Sequence, residues 1–180
     1  GMAGAFRREG ERGARLDDRE AVFQAFLPTM EPSGLGVKIH GDLSTDPSRT
    51  RVVFDERTGE GVQAVAELMV TLLEEGLAAP EQADAVGKIA ALVPSVDPRM
   101  AAFQRRSFTT DLLAAIQRAA DTRFHDLRCR PPWLNAVDFE GLSRAAKMRA
   151  VPRSFDGIAG LAGLLRFVGA KDATFDELAP

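Results

Sequence analysis

The stretch GVQAVAELMVTLLEEG, residues 61–76, decides the fold class of this chain. Its apolar residues recur every three or four positions, and the polar residues between them fall at four-residue spacing. This period is typical of an amphipathic helix that packs one face into a core. Gly76 is the predicted end of that helix, because glycine commonly follows a last helical turn. The chain is therefore predicted to be mainly helical.

Similar patterns on both sides of this stretch predict about seven helices, packed as an orthogonal bundle. Asn135 with Asp138 and Thr174 with Glu177 have the spacing of helix N-terminal caps, and the second pair matches a capping box. The other helices are predicted to begin at Asp17, Pro80, Pro98, near Leu112 and at Ser154. Because one β-hairpin is also expected, the class is α+β by strict count.

The hairpin is predicted at about residues 36–56. Apolar and polar residues alternate from Val37 to Leu43, residues 44–50 have turn composition, and an apolar segment returns at residues 51–55. A lone hairpin is marginal in water, so it must lie on helices or pair with another copy. Residues 1–16 mix glycine with charge and are expected to form a disordered arm, and residues 17–180 to form a single domain.

Composition restricts the function classes. Cys129 is the only cysteine, which excludes an internal disulfide and a CxxC zinc pair. No apolar run approaches the roughly 20 residues that cross a bilayer. The excess of arginine over lysine and the abundant alanine indicate a GC-rich, bacterial coding sequence. We therefore expect a cytoplasmic protein with no membrane, metal or cofactor partner. His40 and Asp42 are interpreted as a solvated strand face, since a metal site needs three or four convergent ligands.

Charge is divided between two neighbouring stretches. Residues 54–96 carry eight acidic against two basic residues, a net charge of −6, and residues 97–153 carry eleven basic against six acidic residues, a net charge of +5. The whole chain has a net charge of only −3. Separate faces of opposite sign favour binding to a protein partner or to a second copy. The leading hypothesis is a non-enzymatic binding or regulatory module, expected to form a homodimer. The expected contact residues are Arg128, Arg130, Trp133, Arg144 and Arg149.

Two other functions stay open. In one helical turn, His125 and Cys129 would share a face beside Asp126, as in a thiolate–imidazole pair in a ligand or enzyme site. No oxyanion-hole pattern accompanies them, so we favour a protein that is not an enzyme. The alternative of nucleic-acid binding is less favoured because the net charge is negative. It would use the basic residues Arg118, Arg123, Arg128, Arg130, Arg144, Lys147, Arg149 and Arg153.

Two further motifs each allow two interpretations. Trp133 follows two prolines, and we favour a core position for its ring over an exposed recognition motif. Gly157, Gly160 and Gly163 recur every third residue, which weakens a helix unless another backbone approaches closely. Helix–helix packing is the favoured explanation of these glycines, ahead of ligand approach or of a less helical segment.

Overall fold

A computed structural model describes residues 21–25, 27–33, 38–79, 81, 83–92 and 108–179. The described chain is α+β, with helices predominating and a small three-stranded sheet. The arm predicted at residues 1–16 and the helix predicted from Pro98 lie outside the described residues. The predicted count of about seven helices and their orthogonal packing stay predictions.

The elements are numbered here in chain order. The α-helices are α1 (Glu56–Ala78), α2 (Ala83–Leu92), α3 (Phe108–Ala120), α4 (Ala136–Ala145), α5 (Leu161–Phe167) and α6 (Phe175–Leu178). The strands are β1 (Val22–Ala25), β2 (Leu27–Pro32), β3 (Ile39–His40), β4 (Arg128–Cys129) and β5 (Lys171–Asp172).

The chain divides into two compact units. Of the described residues, those up to Val70 and from Leu92 to Ala119 form the first unit, and those from Thr71 to Ala91 and from Ala120 onwards form the second. Two such units can belong to one domain, so the single domain from residue 17 to residue 180 stays a prediction.

The first unit contains strands where a helix was predicted from Asp17. β1 pairs antiparallel with β2 and parallel with β3, where Phe23 lies opposite Ile39. Val22 and Phe23 are consecutive and both buried. A central strand covered on both faces buries neighbouring residues in this way, and a short apolar run does not distinguish such a strand from a helix.

The predicted hairpin at about residues 36–56 is also corrected. Its first strand is the two-residue β3, and its second strand is reduced to one antiparallel bridge between Thr45 and Val52. The Asp46 carboxylate accepts hydrogen bonds from the backbone N–H groups of Thr50 and Arg51, at 2.8 and 3.1 Å, and closes the turn. The hairpin that does form is β1–β2.

Helix α1 is longer than predicted at both ends. Asp55 caps it, since the Asp55 side chain accepts a hydrogen bond from the Thr58 backbone N–H at 2.9 Å. The helix continues past Gly76 to Ala78, so Gly76 does not end it. A β-carbon on Gly76 would lie 2.7 Å from Val86 Cγ2 of α2. This glycine therefore permits close packing within the second unit.

The glycine-rich segment of the second unit is less helical than predicted. A 3₁₀ turn at Arg153–Phe155 precedes α5, which begins only at Leu161. Gly157 and Gly160 have φ angles of +85° and +79°, in the left-handed region that glycine adopts without strain. The favoured interpretation as a helix–helix contact was therefore wrong for Gly157 and Gly160, because their backbone conformation favours glycine and the Ala90 backbone oxygen would be only at an ordinary 3.5 Å from a β-carbon on Gly160. Gly163 lies inside α5, where a β-carbon would meet nothing within 4 Å.

Candidate functional site

Two aromatic rings lie together on the surface of the second unit. Trp133 is 59% exposed and Phe175 is 72% exposed, and their ring centroids are 6.5 Å apart at an interplanar angle of 47°. The separation lies within the range of roughly 4.5–7 Å over which aromatic rings interact. We call Trp133 and Phe175 the aromatic surface. The preference for a core position of Trp133 was wrong.

The loop before α4 explains why the Trp133 ring faces solvent. Pro131 is fully buried, and the chain turns directly after it. Arg130 Nη1 donates a hydrogen bond to the Leu134 backbone oxygen at 2.8 Å across this turn. The first proline, and not the tryptophan, therefore fills the interior.

Each ring lies next to the N-terminal cap of a helix, and the two helices, α4 and α6, share one core cluster. The Asn135 side chain accepts a hydrogen bond from the Asp138 backbone N–H at 2.9 Å, which confirms the predicted cap of α4. The predicted Thr174–Glu177 capping box of α6 is also confirmed. The cluster combines the buried Phe139, Ala173 and Leu178 with the partly buried Leu134, Leu142, Met148 and Ala150. The segments next to the aromatic surface are therefore packed against a core cluster and capped by hydrogen bonds.

An ion pair connects α6 to β4. Arg128 Nε and Nη2 contact Glu177 Oε1 at 2.9 and 2.8 Å, and Glu177 Oε2 accepts a hydrogen bond from the Thr174 backbone N–H at 2.9 Å. The hydrogen bond from Arg128 and that from Thr174 lower the pKa of Glu177 to about 2. The carboxylate is therefore ionised throughout the neutral range.

The other three arginines predicted as contact residues also have acidic partners within the chain. Arg130 Nη2 lies 2.9 Å from Asp156 Oδ1, and Arg144 Nη2 lies 3.0 Å from Glu140 Oε1. Arg149 Nη1 lies 2.7 Å from Asp126 Oδ1. Asp126 and Glu140 are already counted in the net charge of +5, so of these carboxylates only Asp156 brings negative charge from outside residues 97–153, as Glu177 does.

One acidic residue of α1 faces the basic stretch directly. Glu74 lies 3.6 Å from Arg123 Nη1 and 3.9 Å from Arg149 Nη2, all within the second unit. The acidic and basic stretches therefore meet inside one subunit at this point. Arg118, Lys147 and Arg153 have no carboxylate partner in the described part of the chain.

The proposed reactive cluster is not assembled as the sequence suggested. Residues 125–129 are a turn followed by β4, so His125 and Cys129 do not share a helical face. The His125 Nδ1 atom lies 2.8 Å from the Thr122 backbone oxygen. Desolvation acts to raise the pKa of Asp126, but the hydrogen bond and charge of Arg149 outweigh it and lower that pKa.

Cys129 lacks the exposure and the lowered thiol pKa of an activated nucleophile. Its side chain is buried, and burial raises the pKa of the thiol, with a further contribution from the charge of Asp172 that Arg166 opposes. A raised pKa disfavours the reactive thiolate. The flanking arginines therefore do not activate this cysteine, because Arg128 and Arg130 pair with carboxylates.

Cys129 does line a pocket of about 120 Å³ in the second unit. The pocket lies among α4, the 3₁₀ turn, the glycine segment after it and α5, and neither His125 nor Asp126 lines it. Sequence reasoning missed this pocket because its walls come from separate elements, each with an ordinary apolar pattern. The glycine spacing at residues 157–163 was the only available signal, and it was assigned to helix packing.

Metal-binding geometry is not found in the described ranges. No group of three His, Cys, Asp or Glu side chains there could hold an ion. His40 is exposed on β3, and Asp42 pairs with Arg57. No helix among the described residues is both long enough and apolar enough to span a membrane.

Comparisons with known proteins assign no family. No protein family, no curated protein and no solved structure matches this chain.

Proposed function

We propose that this protein is a non-enzymatic binding module of the bacterial cytoplasm that self-associates through its aromatic surface. The single observation that carries the proposal is the exposed, mutually contacting pair of Trp133 and Phe175. The sequence predicted a contact made mainly by arginine charge. We propose an apolar contact instead, which keeps Trp133 from the predicted contact residues.

Exposed aromatic rings are an unusual use of surface in a monomer. Tryptophan is enriched among the few residues that supply most of the binding free energy at protein interfaces. Its ring offers a large apolar area at a small cost in conformational entropy, because only two side-chain torsions are fixed. Trp133 precedes the cap of α4 and Phe175 follows the cap of α6, so both backbones are ordered before any partner arrives. Preorganisation of this kind reduces the free-energy cost of association.

A second copy of the chain suits this surface because two arginines of the segments next to it are already paired. In a twofold-symmetric interface the same patch meets itself, so unpaired charges of one sign would repel each other. Arg128 and Arg130 are neutralised by Glu177 and Asp156. Two aromatic surfaces can therefore approach each other without repulsion between these arginines.

The intrinsic fluorescence of the protein tests the proposal directly. The chain contains one tryptophan and no tyrosine, so the emission reports on Trp133. We expect the emission to shift to shorter wavelength as the protein concentration is raised, with a dissociation constant on the order of 10 μM. Sedimentation velocity at the same concentrations should show a monomer–dimer equilibrium.

Two variants identify the surface that is involved. Phe175→Ala keeps the fluorophore and removes half of the aromatic surface, so it should abolish the concentration-dependent shift. Met30→Ala removes a side chain that is 77% exposed in the first unit, and it should leave the shift unchanged. A monomer over the whole concentration range, or equal behaviour of the two variants, contradicts the proposal.

Salt distinguishes this apolar contact from the charge-driven contact that the sequence suggested. Raising the ionic strength from about 0.05 to about 1 M screens exposed charges but does not weaken apolar burial. The dissociation constant should therefore stay within about threefold across that range. A large loss of dimer at high salt would indicate that the arginines, not the rings, form the contact.

Nucleic-acid binding has one supporting observation: Lys147 and Arg153 of the second unit lack a carboxylate partner in the described chain. A gel shift with a short duplex at low salt tests it, because phosphate contacts are strongest there. We expect no shift for this protein.

A further inference from the structure

The side chains that line the pocket beside Cys129 favour a particular kind of ligand. Phe139, Phe155, Leu161 and Leu165 are each at most 3% exposed, and all four line the pocket. These four side chains make a large part of the lining apolar. A volume of about 120 Å³ is slightly smaller than the roughly 150 Å³ of an engineered apolar cavity that binds benzene. A compact body of about four carbon atoms suits this space.

The rim of the pocket carries four charged residues, of which three are already neutralised. Arg130 pairs with Asp156, and Glu140 pairs with Arg144 outside the pocket. Arg153 is exposed at the rim and has no carboxylate partner in the part of the chain that the structure describes. One positive charge at the entrance is thus left without an internal counter-ion.

A guanidinium group is the side chain best suited to a carboxylate, since its planar N–H groups can donate two parallel hydrogen bonds. A lining that is in large part apolar, with one free guanidinium at the entrance, suits a molecule with an apolar body and an anionic end. We propose that this pocket binds a short branched-chain carboxylic acid, with its hydrocarbon part among Phe139, Phe155 and Leu165 and its carboxylate at Arg153. The proposal is independent of self-association, because different residues carry it.

Cys129 provides the reporter for the test. It is the only thiol in the chain and it lines the pocket, so its rate of alkylation by iodoacetamide depends on access through the pocket. The probe is 3-methylbutanoate, and its control is 3-methylbutanamide, which has the same shape without the charge. We expect 3-methylbutanoate to slow alkylation saturably with a dissociation constant near 1 mM, and the amide to bind about tenfold more weakly.

Two variants separate the charge from the cavity. Arg153→Gln removes the guanidinium at an exposed position and should reduce the tenfold preference for the carboxylate to about twofold or less. Ala162→Phe places a large ring on the exposed pocket wall of α5 and should abolish protection by both compounds. Chemical shift changes in a ¹H–¹⁵N spectrum, confined to residues lining the pocket, provide a second readout.

Three results would overturn the proposal. The first is no protection of Cys129 by 3-methylbutanoate at about 20 mM, twenty times the expected dissociation constant. The second is equal protection by the acid and the amide, which would leave an apolar cavity without selectivity for anions. The third is an unchanged preference for the acid in Arg153→Gln. None of these results depends on whether the protein dimerises, so failure here leaves the proposed function untouched.

Discussion

Three arginines of the basic stretch lie in the same unit as the aromatic surface, but only the arginines have partners within the chain that satisfy them. Arg130, Arg144 and Arg149 each contact a carboxylate of the same subunit. Trp133 and Phe175 contact each other but remain more than half exposed. A charge that is paired at the surface retains its water and gains little from a partner, whereas exposed apolar area gains free energy when it is buried. The difference shows that charge along a sequence does not by itself tell which side chains the fold leaves without a partner.

The largest expected effect is on self-association. Trp133→Ala should raise the dimer dissociation constant about 30-fold, equivalent to about 2 kcal/mol, because it removes the larger ring of the aromatic surface. Arg149→Ala, which removes a side chain already paired with Asp126, should change it by less than about twofold. Sedimentation equilibrium measures both. If the arginine variant weakened the dimer more than the tryptophan variant, the result would contradict a contact made by the aromatic rings.

A smaller effect is expected on the free energy of unfolding, to which two of the ion pairs should contribute different amounts. The Arg128 side chain is 20% exposed and also donates a hydrogen bond to the His125 backbone oxygen, whereas the Arg144 side chain is 78% exposed. Arg128→Ala should lower the free energy of unfolding by about 1.5 kcal/mol, because partly buried partners lose charge-assisted hydrogen bonds. Arg144→Ala should lower it by less than about 0.5 kcal/mol.

Urea denaturation of both variants at neutral pH provides the measurement. Equal losses in the two variants would show that the contact between Arg128 and Glu177 contributes no more than an exposed pair does.

The last expected effect is the response of the Arg128–Glu177 pair to acid. The pKa of Glu177 falls from its ordinary 4.5 to about 2 in the folded protein. A carboxyl whose pKa is lowered by folding stabilises the protein fully above the unfolded value and loses that contribution as the pH falls towards the folded value. The contribution of Glu177 should therefore be present above pH 4.5 and disappear between pH 4.5 and about 2.

Glu177→Gln keeps a side chain that can complete the capping box but removes the titrating charge. Its urea midpoint should depend less on pH than that of the parent across the acidic window. Glu140→Gln, in the exposed pair with Arg144, serves as the matched control and should keep the parent's dependence. The same pH dependence in Glu177→Gln and the parent would exclude Glu177 as the source.

The predictions that held were those with a local physical cause. The caps at Asn135 and Thr174 were recognised because a side chain three residues from a backbone N–H can form the bond whatever surrounds it. The amphipathic face of α1 was recognised from its period, with Val62, Ala66 and Met69 buried in the first unit. Such interactions form between neighbours in sequence, so the sequence contains all that specifies them.

The failures concern pairings between distant segments. The parallel pairing of Phe23 with Ile39 made a strand of an apolar run that was predicted to be helical. The pocket draws its walls from four segments between Cys129 and Leu165. No periodicity within any one of those segments indicates that a cavity will form where they meet.

The sequence by itself determined the predominance of helix and two of the helix caps. It also determined that residues 97–153 carry both basic and acidic side chains. Only the tertiary structure decided which of those charges are neutralised and that Pro131 is buried while Trp133 is not. Helix period and capping depend on neighbours within four residues, whereas the burial of a side chain and the pairing of a charge depend on what distant parts of the chain bring beside it.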